Sequence, residues 1–253
     1  MKIAISHSNA DIRLIREYCR VRRNKRVVKF RRNKNLRKNK PPIDKERFWR
    51  ALVCMRLTSR QRSGPGGAVS NLISMKPFPL TVKKLRMKKG SLKSFISSEL
   101  RAIRGMRDYD VAARQLARNF QLLEKGGWEK YLGICNDLRS ASSVKSERSA
   151  SNSIADAFEG IGPKQSRNFL QALGLTRYEI PLDSRVMKWL RNELKFPLPI
   201  SSALFVDKEY YEFVLDQIQV LCRGANVLPC ILDAAIFSDG DNDSDWTVAM
   251  MDF

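Results

Sequence analysis

The chain has 253 residues, with 47 Lys plus Arg against 26 Asp plus Glu and a formal net charge of +21. Residues 1–50 hold 18 basic and 4 acidic side chains, whereas residues 201–253 hold 2 basic and 10 acidic ones, a gradient that points to a polyanionic partner whose counterions Lys and Arg displace. A 43% hydrophobic content argues against wholesale disorder, no apolar run approaches the roughly 18 residues that cross a bilayer, and Ile3-Ala4-Ile5 is too short for a signal sequence. The expectation is a soluble, cytoplasmic, nucleoid-associated protein without membrane contact.

The only histidine, His7, lies in the first few residues, which argues against a serine-protease-like triad and a two-histidine metal site. From Arg20 to Lys40 there are 12 basic residues and no acidic one, and Pro41-Pro42 closes the run. Like charges at this density repel. Residues 1–43 therefore read as a basic arm, extended or loosely helical until phosphates neutralise it. Arg22, Arg23, Lys25, Arg26, Arg31 and Arg32 would make contacts to a nucleic-acid backbone that are blind to sequence.

Phe48, Trp49, Leu52, Val53 and Met55 recur near helical spacing and predict an amphipathic helix from residue 44 towards Leu57, broken at Ser63-Gly64-Pro65-Gly66-Gly67. A short helix over 68–74 ends before Pro77 and Pro79. Ser91 or Ser94 then caps a helix containing Phe95, Ile96, Leu100 and Ile103, and residues 111–123 set Val111, Leu116, Phe120 and Leu123 on one side. The serine- and charge-rich stretch 144–153 reads as a loop. Helices over 186–194, 210–222 and 228–237 follow, and alternating runs are few, so the fold class is all-α. Cys19, Cys54, Cys135, Cys222 and Cys230 contain no Cys-x-x-Cys pair. They read as reduced, mostly buried thiols, and no metal or other cofactor is expected.

The most informative segment is Phe158-Glu159-Gly160-Ile161-Gly162-Pro163-Lys164-Gln165-Ser166. Glycines at 160 and 162 permit a tight turn between two helices, and Pro163 suits the first turn of the second. The helix N-terminus then offers backbone N–H groups to a phosphate, so Gly160, Ile161 and Gly162 are candidate DNA-backbone contacts in a helix-hairpin-helix. Nineteen residues after Lys164 comes Asp183, in Ile180-Pro181-Leu182-Asp183-Ser184-Arg185. Either residue alone has an ordinary explanation: Lys164 as a phosphate contact, Asp183 as a helix cap.

Taken together, the hairpin lysine and the aspartate after an aliphatic-Pro-aliphatic approach resemble the helix-hairpin-helix DNA glycosylase superfamily, and within it the 8-oxoguanine DNA glycosylase/lyases. The resemblance is strong over about residues 154–190 and weaker around Ile103-Arg104-Gly105-Met106-Arg107. It implies a glycosylase core over 44–237, built of two helical subdomains around a cleft, with Lys164 and Asp183 catalytic. The basic arm has no evident counterpart in the family pattern.

The chemistry is coherent. A carboxylate stabilises the positive charge that develops at the anomeric carbon, and a neutral lysine amine forms a Schiff base before β-elimination nicks the strand. If Lys164 is not the nucleophile, Asp183 activates water and the enzyme is monofunctional. The target base is expected to leave the stack, with Trp49, Arg60 and Gln61 as candidates for the wedge or pocket. Two departures stand out: Ser184-Arg185 follows the aspartate where many members have a histidine, and the four-cysteine iron–sulfur loop of the endonuclease III branch is missing.

The expected partner is double-stranded DNA with a modified base, bound by a monomer. That base is an oxidised purine such as 8-oxoguanine, or a hypermodified phage base such as glucosylated hydroxymethylcytosine in antiviral defence. The alternative is a non-catalytic helix-hairpin-helix DNA-binding protein. Residues 238–253 read as an acidic tail, because the stretch from Ser238 to Trp246 lacks the glycine at the sixth position and the glutamate at the twelfth that a calcium loop uses.

Overall fold

Ser8 starts the first helix, α1 (Asn9–Arg22). Its hydroxyl accepts from the Asp11 N–H at 3.1 Å while the Asp11 carboxylate accepts from the Ser8 N–H at 2.8 Å, a reciprocal cap. The computed structural model describes residues 5–59, 61 and 66–240, and all their regular elements are helical. Helix α2 (Arg26–Asn35) follows after a short turn. Ile15, Cys19, Val27 and Val28 face inward from these two helices and pack on the last two helices of the chain. The basic segment is therefore not an extended arm. Its apolar residues share a buried face while most charges point outward, and burying that face outweighs the repulsion that the charge count suggested. His7 is also held, with Nε2 3.0 Å from Gln217 Oε1.

Asp44 caps α3 (Lys45–Leu57), accepting from the Arg47 N–H at 2.8 Å. This helix is buried on almost every side and forms the axis of a first core. Around it lie α4 (Ala68–Ser74), α5 (Val82–Met87), α6 (Leu92–Arg101), capped by Ser91, and α7 (Tyr109–Leu122). At Leu123–Gly127 the path breaks, with Gly126 at φ +97°, and α8 (Trp128–Ser140) continues from it.

Residues 144–153 are helical, not a loop: α9 (Val144–Ala157) starts from Ser143, whose hydroxyl accepts from the Ser146 N–H. Serine is a poor helix-interior residue because it competes for backbone bonds. Here the buried row Glu147, Ala150, Ser151 and Ile154 decides the outcome. Helix α10 (Pro163–Ala172) pairs with α9 and with α3.

The chain then crosses into a second core. Helices α11 (Ser184–Asn192), α12 (Lys208–Ala225) and α13 (Pro229–Gly240) pack with α1 and α2, enclosing Ile180, Trp189, Tyr211, Leu215, Ile218 and Leu232 among others. The described molecule thus has two hydrophobic cores, one from the middle of the chain and one from its two ends. Residues 238–240 belong to α13 rather than to a tail, and residues 241–253 lie outside the described residues. No single described helix is long and apolar enough to cross a membrane.

The crossing segment is tied down by a buried carboxylate. Glu147 of α9 accepts from the N–H groups of Arg177, Tyr178 and Glu179 at 2.8, 2.8 and 2.9 Å, and from the Ser142 hydroxyl. Burial pushes its carboxyl above the usual range, and these donors oppose that shift. From the second core, Asn35 of α2 donates to the Thr176 carbonyl at 2.8 Å.

Candidate active site

The hairpin between α9 and α10 is a tight turn with one buried residue. The Ile161 N–H donates to the Phe158 carbonyl at 3.1 Å, and Gly160 sits at φ +77°. That φ strains any residue with a side chain, and a Cβ on Gly160 would lie 2.4 Å from Arg56 Cδ and 2.6 Å from Gln115 Oε1, displacing those side chains. The Ile161 side chain is buried in the first core, which corrects its reading as a DNA contact: it anchors the hairpin from behind, and its N–H is already used. Gly160 is exposed and Gly162 half-buried. Asn119 of α7 brackets the turn, accepting from the Glu159 N–H at 2.8 Å and donating to the Glu159 carbonyl at 3.0 Å.

Lys164 is the second residue of α10 and half-buried. With Pro163 ahead of it, the N–H groups of Lys164 and Gln165 have no intrahelical carbonyl to bond, and the helix end is a site for an anion. Asp183 is the N-cap of α11, its Oδ1 accepting from the Arg185 and Val186 N–H groups at 2.9 and 3.0 Å. Its carboxylate is thereby oriented by backbone, and its other oxygen takes no part in the cap. At the two positions after the aspartate, Ser184 is exposed and Arg185 lies with its guanidinium 4.1 Å from the Phe237 ring centroid. The two candidate catalytic residues come from different cores. Lys164 rides on the last helix of the first, and Asp183 opens the first helix of the chain's return to the second.

Beside Asp183 lies a buried polar cluster. Asp233 of α13 accepts from Gln171 Nε2 at 2.7 Å and faces the Arg31 guanidinium at 3.6 Å. Burial lifts the Asp233 carboxyl to about 6; Arg31 pulls it down and the Asp183 charge pushes it up.

The other expected contacts divide. Arg31 is buried against Asp233 and is no phosphate contact. Arg22 is also engaged, pairing with Asp239 at 2.6 Å and lying 3.6 Å from the Tyr18 ring centroid. Arg23, Lys25, Arg26 and Arg32 are exposed. Trp49 is neither wedge nor pocket: it is completely buried, its Nε1 donates to the Leu80 carbonyl at 2.7 Å, and its ring meets Phe120 edge-on. Gln61 follows α3, accepting from the Arg107 N–H at 2.8 Å and lining a cleft of about 590 Å³ with Gly67, Asn71, Arg104 and Gly105. Arg60 lies outside the described residues.

No family model and no curated protein matches this sequence. Solved structures do. The 8-oxoguanine DNA glycosylase of Methanocaldococcus jannaschii superposes with a TM-score of 0.63 at 17% identity, covering 92% of this chain and 96% of that one. The fold is that of the 8-oxoguanine DNA glycosylases.

A second structure from that organism, an 8-oxoguanine glycosylase/lyase in complex with a 15mer DNA containing 8-oxoguanine, gives a TM-score of 0.64 at 15% identity over 90% of this chain and 98% of the other. The enzyme of Thermotoga maritima gives 0.66 at 16% identity over 91% and 97%. A match over 92% leaves out only about 20 residues of this chain.

Sequence reasoning missed Glu147, Asn119, Arg167 and Tyr211. Arg167 carried a signal: it shares the inward phase of α10 with Ser166 and Leu170, where a charge requires a buried partner.

Proposed function

We propose that this chain is a DNA glycosylase/lyase that excises an oxidised purine such as 8-oxoguanine from double-stranded DNA. The observation that carries the reading is the presence of Lys164 at the start of the hairpin helix and of Asp183 as the cap of the helix that opens the second core, within a fold shared with solved 8-oxoguanine DNA glycosylases. The hairpin backbone would hold one phosphate, and the exposed Arg23, Lys25 and Arg32 of the N-terminal helices would add contacts without reading bases.

In this reading the neutral Lys164 Nζ attacks C1′ of the flipped nucleotide while the C1′–N9 bond breaks and the base leaves, taking up a proton. The Asp183 carboxylate, held by two N–H groups, stabilises the positive charge that develops on the sugar. The amine lone pair then opens the C1′–O4′ bond, O4′ gains a proton, and a Schiff base remains. Loss of the C2′ proton expels the 3′ phosphate and nicks the strand.

Mass spectrometry of the bases freed from duplexes carrying oxidised, alkylated, deaminated or glucosylated bases tests the reading. It expects 8-oxoguanine among the products and its loss in Asp183→Asn. Release by Asp183→Asn at the wild-type rate would contradict the mechanism, and release of no base from any duplex would leave a DNA-binding protein.

A further inference from the structure

Arg167 and Tyr211 take no part in the chemistry above, yet they join the residues that precede its two reacting side chains. Arg167 is almost fully buried; its Nη1 donates to the Pro163 carbonyl at 3.1 Å and its Nε to Glu179 Oε2 at 2.9 Å. Its guanidinium carbon lies 4.6 Å from the centroid of the Tyr211 ring. The Tyr211 hydroxyl in turn accepts from the Leu182 N–H at 2.8 Å and donates to the Ile180 carbonyl at 3.5 Å. Pro163 immediately precedes Lys164, and Leu182 immediately precedes Asp183. Arg167 stands on the last helix of one core and Tyr211 in the other.

We infer that Arg167 and Tyr211 are positioning residues that set the spacing of Lys164 and Asp183 across the junction of the two cores; the inference rests on the catalytic reading of those two residues. A planar guanidinium can reach a carbonyl, a carboxylate and a ring face at once, which a lysine ammonium cannot. Glu179, the counter-ion, is fixed independently by Arg148 at 2.8 Å and by Gln219 Nε2 at 3.0 Å, so Arg167 is held against an immobile partner. The Tyr211 hydroxyl then places the backbone one residue before the carboxylate. Displacing a reacting group by about 1 Å costs about 100-fold in rate, which gives such a link leverage without contact to DNA.

The test uses the full chain and its Arg167→Lys, Tyr211→Phe and double variants. Single-turnover rates are measured for nicking of a duplex with a preformed abasic site and for base release from an 8-oxoguanine duplex. Dissociation constants for a duplex with a tetrahydrofuran abasic analogue and melting temperatures are measured alongside. Each single variant is expected to slow the rates by about 10- to 100-fold, with the dissociation constant within about threefold of wild type. The double variant should be about as slow as the slower single one, because both act through one link. Tyr211→Phe keeps the ring beneath Arg167 and removes only the hydroxyl, so it remains informative if Arg167→Lys fails to fold. Tyr211→Phe rates within about twofold of an active wild type, or rate losses matched by equal losses of affinity, would overturn the inference alone. A wild-type chain inert on both duplexes would overturn the catalytic reading and this inference with it.

Discussion

Arg22 and Asp239 meet at 2.6 Å, so the end of α1 in the most basic part of the chain is clasped to the end of α13, where the acidic C-terminal residues begin. The Tyr18 ring lies against the same guanidinium, and its hydroxyl donates to the same carboxylate. The charge gradient along the sequence is in this way partly folded on itself, and Arg22 is occupied before any phosphate arrives.

Asp239→Asn should therefore release Arg22 towards DNA. One added phosphate contact steepens the dependence of log K on log salt by about 0.9, measured by fluorescence anisotropy on a duplex between 50 and 200 mM salt, roughly the range in which such slopes are read. Stability should change little, by about 1 kcal/mol or less, because the pair is partly exposed. An unchanged slope would mean that Arg22 does not face the DNA.

Glu147→Ala should lower stability severely. The substitution strips three backbone N–H groups of their acceptor in the crossing segment, a loss of about 3 kcal/mol or more. In a chain of this length that is a fall in melting temperature of about 6–12 °C. A loss of about 1 °C would show that water or a neighbouring group replaces the carboxylate.

Asp233 gives the protein a pH dependence of predictable sign. Its folded value of about 6 lies above the ordinary carboxylate value of 3.8, so between these limits the folded state binds more protons than the unfolded one. This group's contribution to stability is then largest below about pH 4, declines as pH rises, and is flat above about pH 6. Denaturant titrations between pH 4 and 7 should show that decline in the wild type and its absence in Asp233→Asn. Equal slopes in the two proteins would remove Asp233 as the cause.

Gly160→Ala should damage the hairpin. A positive φ and a Cβ 2.4 Å from Arg56 Cδ together cost about 1–3 kcal/mol. The Gly160 backbone must also withdraw from any phosphate. Duplex affinity is expected to fall more than melting temperature accounts for, and wild-type affinity in a folded Gly160→Ala chain would take the hairpin out of the interface.

Much of this was legible because local chemistry and burial agree. Asp44 and Ser91 cap helices whose apolar spacing already announced them, and the Gly160–Pro163 turn and the Asp183 cap are backbone devices written in residue types. The reading faltered where tertiary burial overrides composition. The charges of residues 20–40 hid the apolar face of Val27 and Val28, and the serines of 144–153 hid the row from Glu147 to Ile154. Trp49 was a candidate for the wedge or pocket because it lies on the opening helix, but its indole N–H is satisfied by the Leu80 carbonyl inside the core. The Arg167–Tyr211 link joins residues 44 positions apart, a contact that no local pattern encodes.

The claim that Lys164 is the nucleophile is tested most directly by borohydride reduction on a duplex with a preformed abasic site. The account predicts a covalent protein–DNA complex with the wild-type chain that maps to Lys164 by peptide mass spectrometry and disappears in Lys164→Gln. A complex that persists undiminished in Lys164→Gln, or maps to another lysine, would contradict it.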